Sequence, residues 1–492
     1  MEPYRDQREY IDLLERLGEV KRIRAEVDWD LEIGAITRKV CNQRGPALLF
    51  ENINGYRHTL CRRLFTNGLG TKARVNLALG LPAESPYREI VRVMKERWSK
   101  PLDSIVVKDA PVKENVVRGD KVDLCQLPVP RWHYRDGGRY IVTSAATVTR
   151  DRDSRQLNVG VYRGMLSTRN SIPMLLAASQ GWGAHLAKYQ ERGEDMPMAV
   201  VIGEDPAIFM CAAAPIIHPN CSEYEFAGAL KQRPIELVRC ETSDLLVPAG
   251  AEIVLEGKIS ADPKTFEPEG PFSEYTGYMA GDRAPRHTFR VECVTYRSDP
   301  VFTGCITSRS PGRHAETATF TCATFSAAVW NALEQIVPNV TGVWTPVARE
   351  NLRVQIKKLY RGHAQQVANA IWASKLGNYA AKHLIVVDDD IDIFDDAAVE
   401  WALAYRVNAA MGDVSFFPAT IGSMLDPSVP LEERDAKKYG MGKWTRVLTD
   451  ATINWELEPR AEYDGKRYPP LATDIDPEHE ALVDRRWKEY GF

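Results

Sequence analysis

The sequence has no Cys-x-x-Cys pair, no apolar run of membrane-spanning length, and no strong excess of either charge. Its nine cysteines are scattered at positions 41, 61, 125, 211, 221, 240, 293, 305 and 322. That spacing offers neither a zinc ribbon nor a thioredoxin-like site. An odd, dispersed set without a signal segment is expected to stay as reduced thiols in the cytoplasm, mostly filling the core. The longest apolar stretches, 196–203 and 207–217, fall well short of the ~18–20 residues a membrane span needs. The opening residues, MEPYRDQREY, are polar throughout and lack the apolar core of a signal peptide. Lys and Arg number 63 against 67 Asp and Glu, a net charge of −4. This gives no general electrostatic reason to bind nucleic acid or an anionic membrane. The signatures G-x-x-x-x-G-K-[ST], H-E-x-x-H and G-x-S-x-G are all missing. Gly68-Leu69-Gly70 is a lone glycine pair without the third glycine of a dinucleotide loop.

What is present is a globular composition, 44% hydrophobic and 26% charged, with mean hydropathy −0.33. At 492 residues the chain exceeds the ~250–300 residues that one core serves, so two or three domains are expected. Residues 6–17 carry Tyr10, Leu13, Leu14 and Leu17 at helical spacing. Residues 20–27 read as strand, 31–41 as helix, 47–53 as strand and 87–98 as helix, the alternation of a small α/β unit. A Pro- and Val-rich segment, 100–130, reads as extended. The middle third favours strand at 140–150, 157–165, 198–202, 235–240, 253–259 and 288–296, consistent with a barrel-like β core. The last third alternates again: helix 315–337, strand 352–359, helix 363–374, strand 384–387, helix 397–407. Beyond about 420 the chain is rich in Pro and charge and ends in a helical pattern over 478–490. The expected fold is therefore α/β (α+β). Its parts are an N-terminal α/β domain (1–110), a central β domain (111–312), a C-terminal α/β domain (313–450) and a tail (451–492) suited to oligomer contacts.

Three patterns carry candidate chemistry. In Glu269-Gly-Pro-Phe-Ser-Glu274-Tyr-Thr-Gly-Tyr278, two carboxylates flank a Gly-Pro turn. Unlike environments can separate the pKa values of such a pair and leave one as a usable acid. On spacing alone, a surface turn with solvated glutamates is the commoner outcome. In Asn158-Val-Gly-Val-Tyr-Arg163, strand alternation puts Arg163 on the face of Val159 and Val161. An arginine there needs a partner or an anionic ligand, or it snorkels at a rim; the two readings are even. In Cys221-Ser-Glu-Tyr-Glu225, Ser222 and Glu225 form a capping box. That leaves Glu223 in the first helical turn, where a favourable dipole partner is the default role. Two further clusters resemble sites. Asp388-Asp-Asp-Ile-Asp392 reads as turn formers and helix-start charges. Arg309, Arg313 and His314 make a basic loop, most simply a solvated one.

Taken in order along the chain, these stretches resemble the UbiD family of prenylated-FMN-dependent decarboxylases. Leu31-Glu-Ile-Gly-Ala-Ile-Thr37, Asp136-Gly-Gly-Arg-Tyr140, Ile253-Val-Leu-Glu-Gly257 and the 384–392 segment match as well. The resemblance implies a central flavin-binding split β-barrel and an Arg163, Glu269, Glu274 catalytic set. It implies a divalent metal, Mn or Mg, held by Asn158, Glu223 and a histidine, with a potassium ion nearby. Many relatives carry that histidine at the start of the helix near Gly181. The nearest one here is His185, one turn on and so on the same helical face; a histidine packed under the barrel is the alternative. Gln180 and Lys375 are the implied cofactor-side residues. The implied reaction is reversible loss of CO2 from an aromatic, heteroaromatic or α,β-unsaturated acid. The implied cofactor source is a flavin prenyltransferase, and the implied assembly a homodimer or homohexamer. Two other functions stay open on the sequence: a conventional FMN oxidoreductase, and a non-catalytic cofactor-handling paralogue.

Overall fold

The N-terminal helices form where the apolar spacing requires them. Residues 4–176, 180–216, 221–347, 349–378, 380–434, 436–439, 442–473 and 475–492 are described by a computed structural model. Helix Gln7–Arg16 starts at Asp6, whose carboxylate accepts the Glu9 N–H, and it buries Tyr10, Ile11, Leu13 and Leu14. Helices Glu32–Asn42 and Tyr87–Trp98 likewise bury their apolar faces. The sheet beside them orders strands Val20–Ile23, Ala47–Phe50, Arg63–Thr66 and Val301–Thr303. Its last strand comes from far along the chain and pairs parallel to Arg63–Thr66. No local pattern announces that return. It sets the start of the loop that follows, 304–315, beside the N-terminal unit.

The central sheet has seven strands. Six lie in the order Ser171–Pro173, Thr288–Tyr296, Ile253–Ile259, Met196–Ile202, Ala145–Arg150, Leu157–Gly160, and Asn115–Arg118 adds to Thr288–Tyr296. All these pairings are antiparallel. The segment read as extended thus contributes two short strands, Ile105–Val106 and Asn115–Arg118. One expectation is corrected here. The strand expected to run through Arg163 ends at Gly160. The Tyr162 ring folds back over Gly160, where a Cβ would meet its hydroxyl at 2.5 Å, so the chain leaves the ladder and Arg163 stands in the irregular link before the short strand Gly164–Met165.

The C-terminal sheet orders Val340–Trp344, Asn351–Ile356, His383–Asp388, Lys443–Ala451 and Val414–Ile421, behind the long helix Glu316–Glu334. Val340–Trp344 and the last two strands escaped the sequence reading. Lys443, Arg446 and Asp450 interrupt the apolar signal of one of them, yet Arg446 is fully buried. Its guanidinium donates to the carbonyls of Gly377 and Ile421, which satisfies the charge without a carboxylate. The 388–392 acids serve as turn formers and backbone or ion-pair partners rather than as helix-start charges: Asp392 accepts from Phe394 N–H, Asp388 from Ile453 N–H, and Asp390 pairs with Arg406, while Asp395 caps the helix. All the described cysteines are free thiols, and most are buried.

Glu204, just past strand Met196–Ile202, is buried with both carboxyl oxygens lacking a hydrogen-bond partner among the described residues. Burial pushes its carboxyl well above the ordinary range, so the folded chain favours the neutral acid. A raised acid contributes stability that is full below its unfolded pKa and is lost as pH rises through the folded one. Glu204→Gln should therefore leave stability nearly unchanged at pH 5 and raise it at pH 8. Denaturant midpoints at the two pH values check this; an equal change at both would refute it.

Candidate active site

The Glu269–Glu274 element is a buried double turn. Strand Glu267–Glu269 pairs with Ala284–Arg286, and Phe272–Ser273 pairs with Met279–Ala280. Between them lies the cis Gly270–Pro271 bond. Glu269 is 0% and Glu274 7% exposed, which overturns the solvated-turn alternative. Arg163, 8% exposed, lies between them. Its Nη2 donates to Glu269 Oε2 at 3.1 Å, and its Nη1 contacts Glu274 Oε1. The Phe272 ring lies 5.2 Å beneath the guanidinium. Burial acts to lower the Arg163 pKa, but the Glu274 and Glu269 charges outweigh it and raise it. The arginine is a fixed cation.

The Asp136-Gly-Gly-Arg-Tyr140 stretch, matched in sequence but given no role there, braces this element. The Tyr140 hydroxyl donates toward Glu269 Oε1 at 2.7 Å, with the Pro271 carbonyl 3.1 Å away. Burial, then the Glu269 charge, raise the Tyr140 pKa, so it stays a donor. Asp136 Oδ1 accepts the Ser273 N–H at 2.9 Å. A Cβ on Gly137 would meet the Gly270 carbonyl at 1.9 Å, so only glycine lets the two turns close. Behind them His133 Nδ1 lies 3.2 Å from Asp136 Oδ2. From the other side, Thr307 Oγ1 donates to Ser273 O at 2.9 Å and Ser308 Oγ to Glu274 O at 2.8 Å. Backbone groups of Pro271, Ser273 and Glu274 are thus held by side chains from both sides.

A second cluster forms at strand Leu157–Gly160. The capping box on helix Glu223–Lys231 is present, Ser222 with Glu225, so Glu223 is free of that task. Glu223 Oε2 accepts the Val159 N–H at 2.8 Å, and burial pushes its carboxyl up to about 7. Asn158 points to the start of helix Gly181–Gln190: a Cβ on Gly181 would lie 2.0 Å from Asn158 Oδ1. Asn158 Nδ2 donates to the Tyr162 hydroxyl at 3.2 Å, and the Tyr162 ring stacks on Trp182 at 4.5 Å. Gln180 Oε1 accepts from Trp182 Nε1 at 3.2 Å. Asn158, Glu223, Gln180 and a glycine-rich helix start thus come together. Hard oxygen donors that include one buried carboxyl suit a divalent cation, whose charge would keep that carboxyl ionised. The N–H groups of a helix start suit a phosphate.

His185 keeps the helical face of Gly181 but meets the neighbouring strand. Its Nδ1 is 2.9 Å from Thr149 Oγ1, and its Nε2 is 3.9 Å from Asp151 Oδ2. Burial lowers its pKa, so the ring is neutral. Thr149 is the cross-strand partner of Asn158, which places His185 one strand over from that side chain. Lys375 stands apart, exposed in the short turn after helix His363–Trp372. No contact among the described residues joins it to the cluster. Tyr140, Asp136 and His133 were not singled out in the sequence; for Asp136 and Tyr140 the matched D-G-G-R-Y stretch was the available signal.

Fold and site together define a carboxy-lyase. The chain belongs to the UbiD family: residues 11–94, 104–310 and 318–451 match the N-terminal, Rift-related and C-terminal domains of 3-octaprenyl-4-hydroxybenzoate carboxy-lyase. It is similar to the vanillic acid decarboxylase ShVdcCD of Sedimentibacter hydroxybenzoicus in closed form, 30% identical with TM-score 0.89, covering 100% of this chain and 99% of that one. The UbiD-class enzyme HmfF of Pelotomaculum thermopropionicum in complex with FMN is 31% identical, with TM-score 0.78 over 97% of this chain and 99% of that one. An evolved dimeric form of HmfF in complex with prFMN is 29% identical, with TM-score 0.75 over 97% of this chain and 100% of that one.

Proposed function

We propose that this chain uses prenylated FMN to remove CO2 from an aromatic, heteroaromatic or α,β-unsaturated acid, reversibly at high CO2. The observation that carries the reading is the buried Arg163 gripped by both Glu269 and Glu274. Breaking a C–CO2 bond at an sp2 carbon leaves an electron pair that no side chain can accept; prenylated FMN, when bound, supplies the sink. Arg163 orients the substrate carboxylate, and Glu269, itself anchored by Tyr140, holds the guanidinium in place. Arrival of that carboxylate brings a third negative charge to one guanidinium. The least costly response is for Glu274 to take up a proton, which equips it to protonate the carbon after CO2 leaves. Asn158 and Glu223 would hold a divalent metal, manganese first and magnesium second, that neutralises the cofactor's phosphate charge, with His185 as the third ligand if its ring leaves Thr149. Gln180, beside the helix start, would face the cofactor, Lys375 would have to approach it from its exposed turn, and a potassium ion would complete the site. A flavin prenyltransferase supplies the cofactor in the cytoplasm, and the enzyme works as a homodimer or homohexamer.

Protein made alongside a flavin prenyltransferase should release CO2 from at least one of a panel of benzoic, heteroaromatic and cinnamic acids, with prenylated flavin seen by mass. Release should vanish in protein made without that partner. Plain FMN bound with hydride-transfer activity and no CO2 release would instead establish the oxidoreductase.

A further inference from the structure

The turn that carries Glu274 reaches the C-terminal sheet through its next residue. The Tyr275 hydroxyl donates to Glu350 Oε1 at 3.0 Å, and the Arg349 guanidinium carbon lies 4.5 Å from the centre of the Tyr275 ring. Burial raises the Tyr275 pKa, so the hydroxyl keeps its proton. Arg349 and Glu350 stand immediately before strand Asn351–Ile356, and their backbone is pinned. The Arg349 carbonyl accepts the Ala381 N–H at 2.7 Å, and the Glu350 carbonyl accepts the His383 N–H at 2.9 Å. The C-terminal sheet therefore presents a cation to the face of the ring and a carboxylate to its hydroxyl, both from fixed backbone.

Apolar packing does not set this alignment. Phe272, which anchors the turn, belongs to the core under the central sheet. Val343, Leu352 and Leu384 pack with helix Glu316–Glu334 in a separate core. Tyr275, Arg349 and Glu350 are half-buried at the seam between the two. The other bonds to the turn come from the central domain: Asp136 takes the Ser273 N–H, and the Ser308 hydroxyl holds the Glu274 carbonyl. On that side the fit is tight, since a Cβ on Gly277 would meet the Arg309 carbonyl at 2.2 Å. Tyr275 ties the opposite side, one residue from the carboxyl whose aim matters.

We propose that Tyr275 is a positioning residue for the proton donor: held by Glu350 and Arg349, it fixes the turn that aims the Glu274 carboxyl, so proton delivery depends on how the C-terminal sheet meets the central domain. The proposal rests on Glu274 being the donor. Proton transfer needs hydrogen-bond reach, and a misplacement of about 1 Å costs roughly tenfold to a hundredfold in rate. Substrate binding is left to Arg163, so the loss falls on kcat rather than on KM.

Steady-state turnover of the cofactor-replete enzyme in H2O and D2O, with flavin content from the same preparations, tests this. Tyr275→Phe keeps the ring against Arg349 and loses only the hydroxyl; Glu350→Ala loses the acceptor. Each should lower kcat about tenfold or more, with KM and flavin content close to wild type. Each should also raise the solvent isotope effect, as proton delivery becomes the slow step. The double variant should be no worse than either single one, because both remove the same bond. Glu350→Gln keeps an acceptor oxygen and should regain most of the turnover that Glu350→Ala loses. Wild-type kcat in Tyr275→Phe, additive losses in the double variant, or a lowered kcat at an unchanged isotope effect overturns the proposal. Flavin lost from Tyr275→Phe would make the hydroxyl a support of the fold and overturn it equally. The two readings fail separately: near-normal turnover in Glu274→Gln removes Glu274 as the donor, whatever Tyr275 and Glu350 do.

Discussion

Glu274→Gln should lose about a hundredfold or more in turnover, the lower range of what a positioned general acid contributes, while binding cofactor as the wild type does. The amide keeps the size and the reach toward Arg163, and the backbone of residue 274 stays fixed by the Tyr278 carbonyl and the Ser308 hydroxyl. What disappears is the transferable proton. CO2 release by purified, cofactor-replete enzyme is the measurement, with flavin content taken from the same preparation. Near-normal turnover at full flavin occupancy would take the proton-donor role away from Glu274. Glu269→Gln should behave differently. It weakens the hold on Arg163 rather than removing a proton, so it should raise KM along with lowering kcat.

The part of this site legible in the sequence is the part carried by local spacing. The E-G-P-F-S-E element, the capping box at Ser222 and Glu225, and the turn-forming acids at 388–392 each have a short-range physical reason that a single chain displays. Burial is not local. Nothing in the spacing of Glu269 and Glu274 states that both are enclosed; that follows from Gly137 closing on Gly270 and from loop 304–315 lying over the turn. Arg163 shows the same limit. Alternation puts it on a strand, whereas Tyr162 folding over Gly160 ends the strand first. Of the three missed strands of the C-terminal sheet, Lys443–Ala451 failed for a chemical reason: a fully buried Arg446 satisfied by carbonyls looks, in sequence, like a surface residue. The Val301–Thr303 return and the Arg38 contact to the 304–315 loop are tertiary pairings that no window of sequence contains.

Glu223→Ala should lower both metal and flavin content by about tenfold or more, the scale on which ligand-shell changes act on metal affinity. The helix itself should survive, because its start is held by Ser222 and Glu225 rather than by Glu223. Only the Val159 N–H loses an acceptor. Glu225→Ala is the matching control. It breaks the capping box and should cost about 1 kcal/mol of stability without removing a donor from the Asn158 side. Metal analysis and flavin absorbance on the two variants separate a ligand from a structural neighbour. Full manganese occupancy in Glu223→Ala would remove that residue from the site. His185→Ala, measured in the same way, decides the third position. If the ring leaves Thr149 to reach the metal, metal and flavin should fall together as they do for Glu223. If it stays against Thr149 and Asp151, where it lies in the fold, both contents should match the wild type. The metal shell would then be Asn158, Glu223 and oxygen atoms of the cofactor phosphate and water, a donor set that favours manganese or magnesium over zinc.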